Sequence, residues 1–174
     1  MSNENPIRIY LAGPDVFRPD AKEYGSYLCQ ICEDFGAEGL YPLDGDLPGG
    51  VVSAENIYIA NKGMIDRSDA IIANLDPFRG PSADSGTVWE IGYAKGKGKI
   101  VVGYTNEVRL YAERAAECTQ NQPEGWSIES FDLLDNLMIS CSLNALTRWP
   151  NEAVLTAVNL VRNLRHELLQ GSNP

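Results

Sequence analysis

Basic charge is scarce in this chain. Fourteen Lys and Arg stand against 24 Asp and Glu in 174 residues, giving a formal net charge of −10 at pH 7. No stretch gathers the cations into a stripe, so a nucleic-acid backbone would be repelled and the expected partners are small molecules or protein. No apolar run approaches the roughly 18 to 20 residues of a membrane span. The opening MSNENPIRIY lacks the basic start and apolar centre of a signal peptide, so a soluble, cytoplasmic protein with no membrane partner is expected.

Histidine is nearly missing. His166 is the single one, on an amphipathic C-terminal stretch, which argues against a Ser-His-Asp triad and leaves it as a surface or packing residue. Cys29 and Cys32 have the spacing of a redox or half-zinc motif, yet no second cysteine or histidine pair completes a tetrahedral site. Tyr24, Leu28, Ile31, Cys32 and Phe35 recur at helical spacing, so these thiols read as buried structural groups. Neither GxGxxG nor GxxxxGK[ST] occurs, which removes the two usual cradles for nucleotide phosphates. Metal hydrolysis also lacks its ligands. The chemistry left to the chain is that of carboxylates.

What is present is an alternation. Hydrophobic residues make up 44% and charged residues 22%, ordinary globular usage, and the length fits one domain over 1–174 without repeats or a linker. IRIYLA (7–12), GLYPL (39–43), DAIIANL (69–75) and KIVVGY (99–104) read as strands. Helices are expected over 20–35, over 53–66 with Ser53 as cap, and over 85–95. The order βαβαβαβ implies a doubly wound parallel sheet with helices on both faces, an α/β fold. Beyond Tyr104 the pattern loses definition, and FDLLDNLMISCSL (131–143) is open between a short helix and a strand. The last stretch, about 150–169, is helical, with Ala153, Val154, Ala157, Leu160, Val161 and Leu164 as its apolar stripe.

In such a sheet, ligands bind beyond the carboxyl ends of the strands, which points to 13–17, 44–50, 74–86 and 105 onward. Within them DSGTVWE (84–90) carries two acids with a glycine between. Asp84 suits a helix cap. Gly86 lies four residues before Glu90 on the same helix face and clears space above its carboxylate, which the helix dipole would help keep ionised. The bland alternative remains open from spacing alone: a capping acid, a packing glycine and a solvated glutamate. Trp89, Ile91, Tyr93 and Ala94 around Glu90 are expected to be buried, and a carboxylate among them needs a reason. Asp15 and Asp44 are open between ligand contact and turn formation. Phe17 and Trp89 are open between contact with a ring and packing, and Arg79 between a lid and a solvated residue.

RIYLAGPDVF, YPLDGDLPG, DRSDAIIANLDPFRG and DSGTVWEIGYAKGKGKIVVGY together resemble the nucleoside 2-deoxyribosyltransferase family, from about Ile7 to Tyr104 and again at DNLMI. The resemblance implies a flavodoxin-like sheet. It also implies exchange of the base of 2'-deoxynucleosides with free nucleobases, without cofactor or metal. Glu90 matches the family's nucleophile, Asp84 the aspartate that binds the sugar hydroxyls, and Tyr10 the tyrosine that orients the nucleophile. Gly13, Phe17 and Gly86 fall at the expected substrate site. Asn61 stands where relatives commonly carry an aspartate, and an amide cannot act as a general acid; Asp46, in a loop where relatives can carry glutamine, is a candidate to share that task. Asn136 and Met138 match a segment that enters the neighbouring subunit's site, implying a homo-oligomer, at least a dimer. Two rival activities stay open on the same fold: an N-glycoside hydrolase of nucleosides or their 5'-monophosphates, and a non-catalytic nucleoside- or nucleotide-sensing domain.

Overall fold

In the computed structural model, which describes residues 5–118 and 125–170, five strands pair in parallel. They are β1 (Ile7–Ala12), β2 (Ala37–Leu40), β3 (Ala70–Asn74), β4 (Ile100–Tyr104) and β5 (Ala145–Thr147), in the order β2-β1-β3-β4-β5. Every residue of β3 and β4 is buried, as expected of strands covered on both faces. The helices are α1 (Ala21–Asp34), α2 (Ala54–Arg67), α3 (Ser85–Gly96), α4 (Tyr111–Glu117), α5 (Leu137–Ser140) and α6 (Pro150–Gln170).

Alternation along β1 sorts the core into two halves. Ile7, Ile9 and Leu11 face α1 and α6, packing with Leu28, Ile31, Val154, Ala157 and Val158. Tyr10 and Ala12 point the other way, into the layer of Met64 and Ile65 from α2 and Ile91 and Ala94 from α3. A tyrosine in the middle of the strand is thereby delivered to the α2/α3 side.

Several expectations need correction. The second strand lies at 37–40, not 39–43: Gly36, at φ +76, ends α1, and pairing with β1 begins at once with Ile7 opposite Ala37. Pro42, without an N–H, then opens a 3₁₀ turn, Pro42–Asp44. The ill-defined stretch after Tyr104 contains α4 and α5, with residues 119–124 outside the described ones, and β5 was not anticipated at all. In α6 the buried stripe is Ala153, Val154, Ala157, Val158 and Val161, while Leu164 is exposed. A helix of 21 residues is about 31 Å long against roughly 17 Å for a five-residue strand, so its last turns outrun the sheet they cover.

Cys32 is fully buried and Cys29 half-buried; both are free, and burial pushes their thiols up to about 12 and about 11 respectively. They pack where β2 passes α1, the Cys29 sulfur donating weakly to the Gly39 carbonyl at 3.8 Å. His166 lies exposed on α6. Among the described residues no helix is long and apolar enough to cross a membrane, and no cluster of His, Cys, Asp and Glu is placed to hold a metal ion.

Gly25, inside α1, shows how tightly the first layer is closed, because a methyl group added there would stand 2.4 Å from the ring of buried Tyr41. Alanine in a helix is ordinarily favoured over glycine by about 1 kcal/mol, whereas forced overpacking costs about 1 to 3. The clash should win. Gly25→Ala is expected to lower stability by about 1 to 2 kcal/mol, read as a fall in Tm of roughly 3 to 6 °C for a chain of this size; an unchanged or higher Tm would show that Tyr41 can move aside.

Candidate active site

Between β1 and β3 the order of the sheet reverses, so the loops after these strands part and leave a crevice at their carboxyl ends. A cavity of about 470 Å³ occupies it, walled by the loops after β1 and β2 and by facing turns of α2 and α3. Its polar lining is Asn61, Asp84, Thr87 and Glu90; its apolar lining includes Val16, Phe17, Leu43, Leu47, Val52 and Ile57.

Glu90 and Tyr10 form the centre. The fully buried Tyr10 phenol donates a 2.6 Å hydrogen bond to Oε1 of the partly buried Glu90 and stands behind it, out of the cavity. Burial pushes the Glu90 carboxyl up from 4.5 to about 7; the Tyr10 hydrogen bond pulls against that rise and the charge of Asp84 adds to it. The helix dipole was expected to keep Glu90 ionised, and here desolvation wins. The dipole's influence fades within the first turn, and Glu90 lies beyond it. Burial and the same carboxylate drive the Tyr10 phenol well above its usual range, so it stays a donor.

Asp84 caps α3. Its Oδ2 accepts from the backbone N–H of Gly86 at 3.0 Å and Thr87 at 3.2 Å, which leaves Oδ1 for the cavity. A methyl group on Gly86 would lie 3.0 Å from that Oδ2. Gly13 is required by its neighbours, since an added Cβ would meet the Asp15 carboxylate at 2.7 Å and Asn74 Cβ at 2.9 Å. Asn74 donates a 2.9 Å hydrogen bond to this buried Asp15, tying the loop after β1 to the end of β3.

The structure thus brings Gly13, Phe17, Asn61, Asp84, Gly86 and Glu90 to one cavity, with Tyr10 behind. Phe17 stacks on Phe78 at 5.5 Å, and the Arg79 guanidinium covers both rings. Asp46 is a correction: it is exposed, and its neighbours Gly45 and Leu47 line the wall instead. Asp15 and Asp44 do not line the cavity either, and nor does the stretch from Thr105. Trp89 was expected to be buried, yet it is 44% exposed and stacks on Tyr93 at 5.2 Å, with Tyr58 edge-on.

Asn136 and Met138 do not reach this cavity. They line a second depression of about 710 Å³ on the opposite face of α3. Asn136 caps α5, its Oδ1 accepting from Met138 N at 2.9 Å, and Met138 is 74% exposed.

Sequence reasoning missed Thr87, which is buried on the cavity wall, and Asp135. The Asp135 carboxylate is buried and accepts from the Ser82 hydroxyl, from Ala83 N at 3.0 Å and from Asn136 N at 2.7 Å. Arg114, also buried, donates to the carbonyls of Pro81, Arg109 and Leu134. The two pin the loop that leads into Asp84. An aspartate in an undefined stretch gives no local sign of such a task.

A 2-1-3-4-5 parallel sheet with a phenol-held carboxylate in its switch-point crevice defines a flavodoxin-like α/β protein with a carboxylate-centred site. The chain belongs to the nucleoside 2-deoxyribosyltransferase family, whose model matches residues 9–138, and that family consists of enzymes acting on nucleosides. A 2-deoxyribosyltransferase from Leishmania mexicana is similar in structure, with a TM-score of 0.65 and 36% identity over 77% of this chain and 85% of that one. A 2-deoxyribosyltransferase from Bacillus psychrosaccharolyticus follows at TM-score 0.55 and 25% identity, covering 83% and 88%. An uncharacterised protein of Schizosaccharomyces pombe is 39% identical over 112 residues, 61% of this chain; the match spans about half, 53%, of that relative's length.

The raised Glu90 carboxyl has a consequence for stability. Between pH 4.5 and about 7 the folded chain holds a proton that the unfolded chain has released, so stability falls as pH rises through that window and the deficit persists above it. Glu90→Gln removes the deficit. Urea melts are expected to show the variant more stable than the parent by on the order of 2 kcal/mol at pH 8, with the difference vanishing towards pH 4. Equal gaps at both pH values would mean that Glu90 is not held in a desolvated site.

Proposed function

We propose that this chain exchanges the base of 2'-deoxynucleosides, with Glu90 as the covalent nucleophile. The observation that carries the proposal is the 2.6 Å contact from Tyr10 to Glu90 Oε1 at the wall of the switch-point cavity. Tyr10 occupies one carboxylate oxygen and leaves the other to attack. Glu90 forms a bond to the anomeric carbon as the N-glycosidic bond breaks, and the bonding pair leaves with the base, which takes a proton from solvent on a ring nitrogen. A ring nitrogen of the second base then attacks the same carbon and expels Glu90 as carboxylate, while the base gives up its ring N–H proton to solvent. Two inversions through oxocarbenium-like transition states return the starting configuration. The free Oδ1 of Asp84 binds sugar hydroxyls, Gly13 and Gly86 keep the floor clear of side chains, and the apolar rim with Phe17 packs the rings. Asn61 supplies hydrogen bonds to the base but no proton.

The cavity's remaining wall comes from a second copy. Asn136 and Met138 lie across α3 from their own chain's cavity, so they serve a neighbour's, in a homo-oligomer of at least two chains working in the cytoplasm.

Incubation of a 2'-deoxynucleoside with a different free base should give the exchanged nucleoside, and Glu90→Ala should abolish it while the fold persists. A 2-fluorinated deoxynucleoside should add its glycosyl mass to the peptide that holds Glu90. Release of free base and deoxyribose at full rate with no exchanged product would instead identify a hydrolase.

Only ionised Glu90 can attack, so the rate should rise with pH through about 7. Tyr10→Phe removes a hydrogen bond that favours the ionised form and should displace this limb to higher pH, lowering kcat at pH 7 by about tenfold or more. A limb that stays in place would sever Tyr10 from the tuning of Glu90.

A further inference from the structure

Thr87 is 1% exposed, lines the cavity, and has a hydroxyl with no hydrogen-bond partner among the described residues. A buried hydroxyl left unpaired costs roughly 1 to 3 kcal/mol, and such groups in native proteins call for an explanation. Helical threonines commonly settle the matter by bonding back to the carbonyl one turn earlier, and Thr87 does not take that acceptor. Its position cannot drift, because its backbone N–H is held by Asp84 Oδ2 at 3.2 Å and its branched side chain has few rotamers in a helix.

Its place in the wall says what it meets. Asp84, Thr87 and Glu90 follow one another at three-residue intervals along α3, the spacing at which side chains stand about 5 to 6 Å apart on one face. Thr87 therefore stands on the helix between the acid assigned to sugar hydroxyls and the acid assigned to the anomeric carbon. What spans those two points is the pentose ring with its oxygen substituents. Asn61 Oδ1, the other unpaired buried polar atom of the cavity, projects from α2 on the facing wall.

We propose that the Thr87 hydroxyl is a substrate-binding group that hydrogen-bonds the pentose of the bound nucleoside between the Asp84 and Glu90 contacts. This rests on the function proposed above. The hydroxyl donates or accepts as the sugar oxygen requires, and the stability withheld from the empty protein returns when the ligand pairs with it.

Thr87→Val keeps the shape and removes the hydroxyl, Thr87→Ser keeps the hydroxyl, and Thr87→Ala is a second deletion should valine fold poorly. In valine, KM for a 2'-deoxynucleoside should rise about tenfold, the worth of one hydrogen bond. Inhibition by a free nucleobase should hold within twofold, and the ligand-free Tm should equal or exceed that of the parent. Serine should restore KM to within about threefold. A nucleoside KM unchanged in both valine and alanine overturns the proposal, as does an equal loss of nucleoside and free-base affinity, which would assign the hydroxyl to the base. If the parent neither exchanges bases nor gains Tm with any 2'-deoxynucleoside, the function and this inference fall together; a responsive parent beside indifferent variants overturns this inference alone.

Discussion

The arrangement depends on one partly buried hydrogen bond, from Tyr10 to Glu90 at 2.6 Å. The strand's alternation turns Tyr10 toward α2 and α3, and the reversal of strand order between β1 and β3 opens the crevice beside it. With the phenol absent, the carboxylate would meet the full cost of desolvation, and with Glu90 absent, a buried hydroxyl would lose its acceptor. Each group makes the other tolerable. Glu90 is consequently poised between its two protonation states near neutrality while one of its oxygens is held still.

Around this pair the chain spends buried polar groups on fixing loops. Asp15 joins the loop after β1 to Asn74 at the end of β3, and Asp135 with Arg114 anchors the approach to Asp84. The excursion after β4 lines none of the cavity, yet it sets the entrance of the helix that carries both acids. Its residues act at a distance by holding Pro81 to Ala83 in place.

The parallel sheet and four of its strands were legible because buried runs such as AIIAN and IVVGY are too apolar to be anything else, and because glycine and serine punctuate the helices between them. The capping acid and its glycine were legible for the same local reason. β5 was not, since Ala145–Thr147 is three residues long, none of them buried, and takes its identity only from pairing with β4. The protonation of Glu90 also escaped, because local reasoning sees a helix dipole and misses the desolvation that packing imposes on the carboxyl. Asp46 shows the opposite error: a loop position suggested contact, and the side chain is exposed outside the cavity.

Gly13 has a consequence of another kind. It tolerates no side chain because of Asp15 and Asn74, and those two persist in a buried setting because each satisfies the other. None of the three can change alone without leaving either a collision or a stranded polar group. They form a single unit of inheritance spread over the loop after β1 and the end of β3, so the floor of the crevice can be altered only by passing through variants that fold badly. The apolar rim at Leu43, Leu47, Val52 and Ile57 carries no such linkage. Selection for new ligands therefore has an open route around the mouth of this site and a closed one at its base.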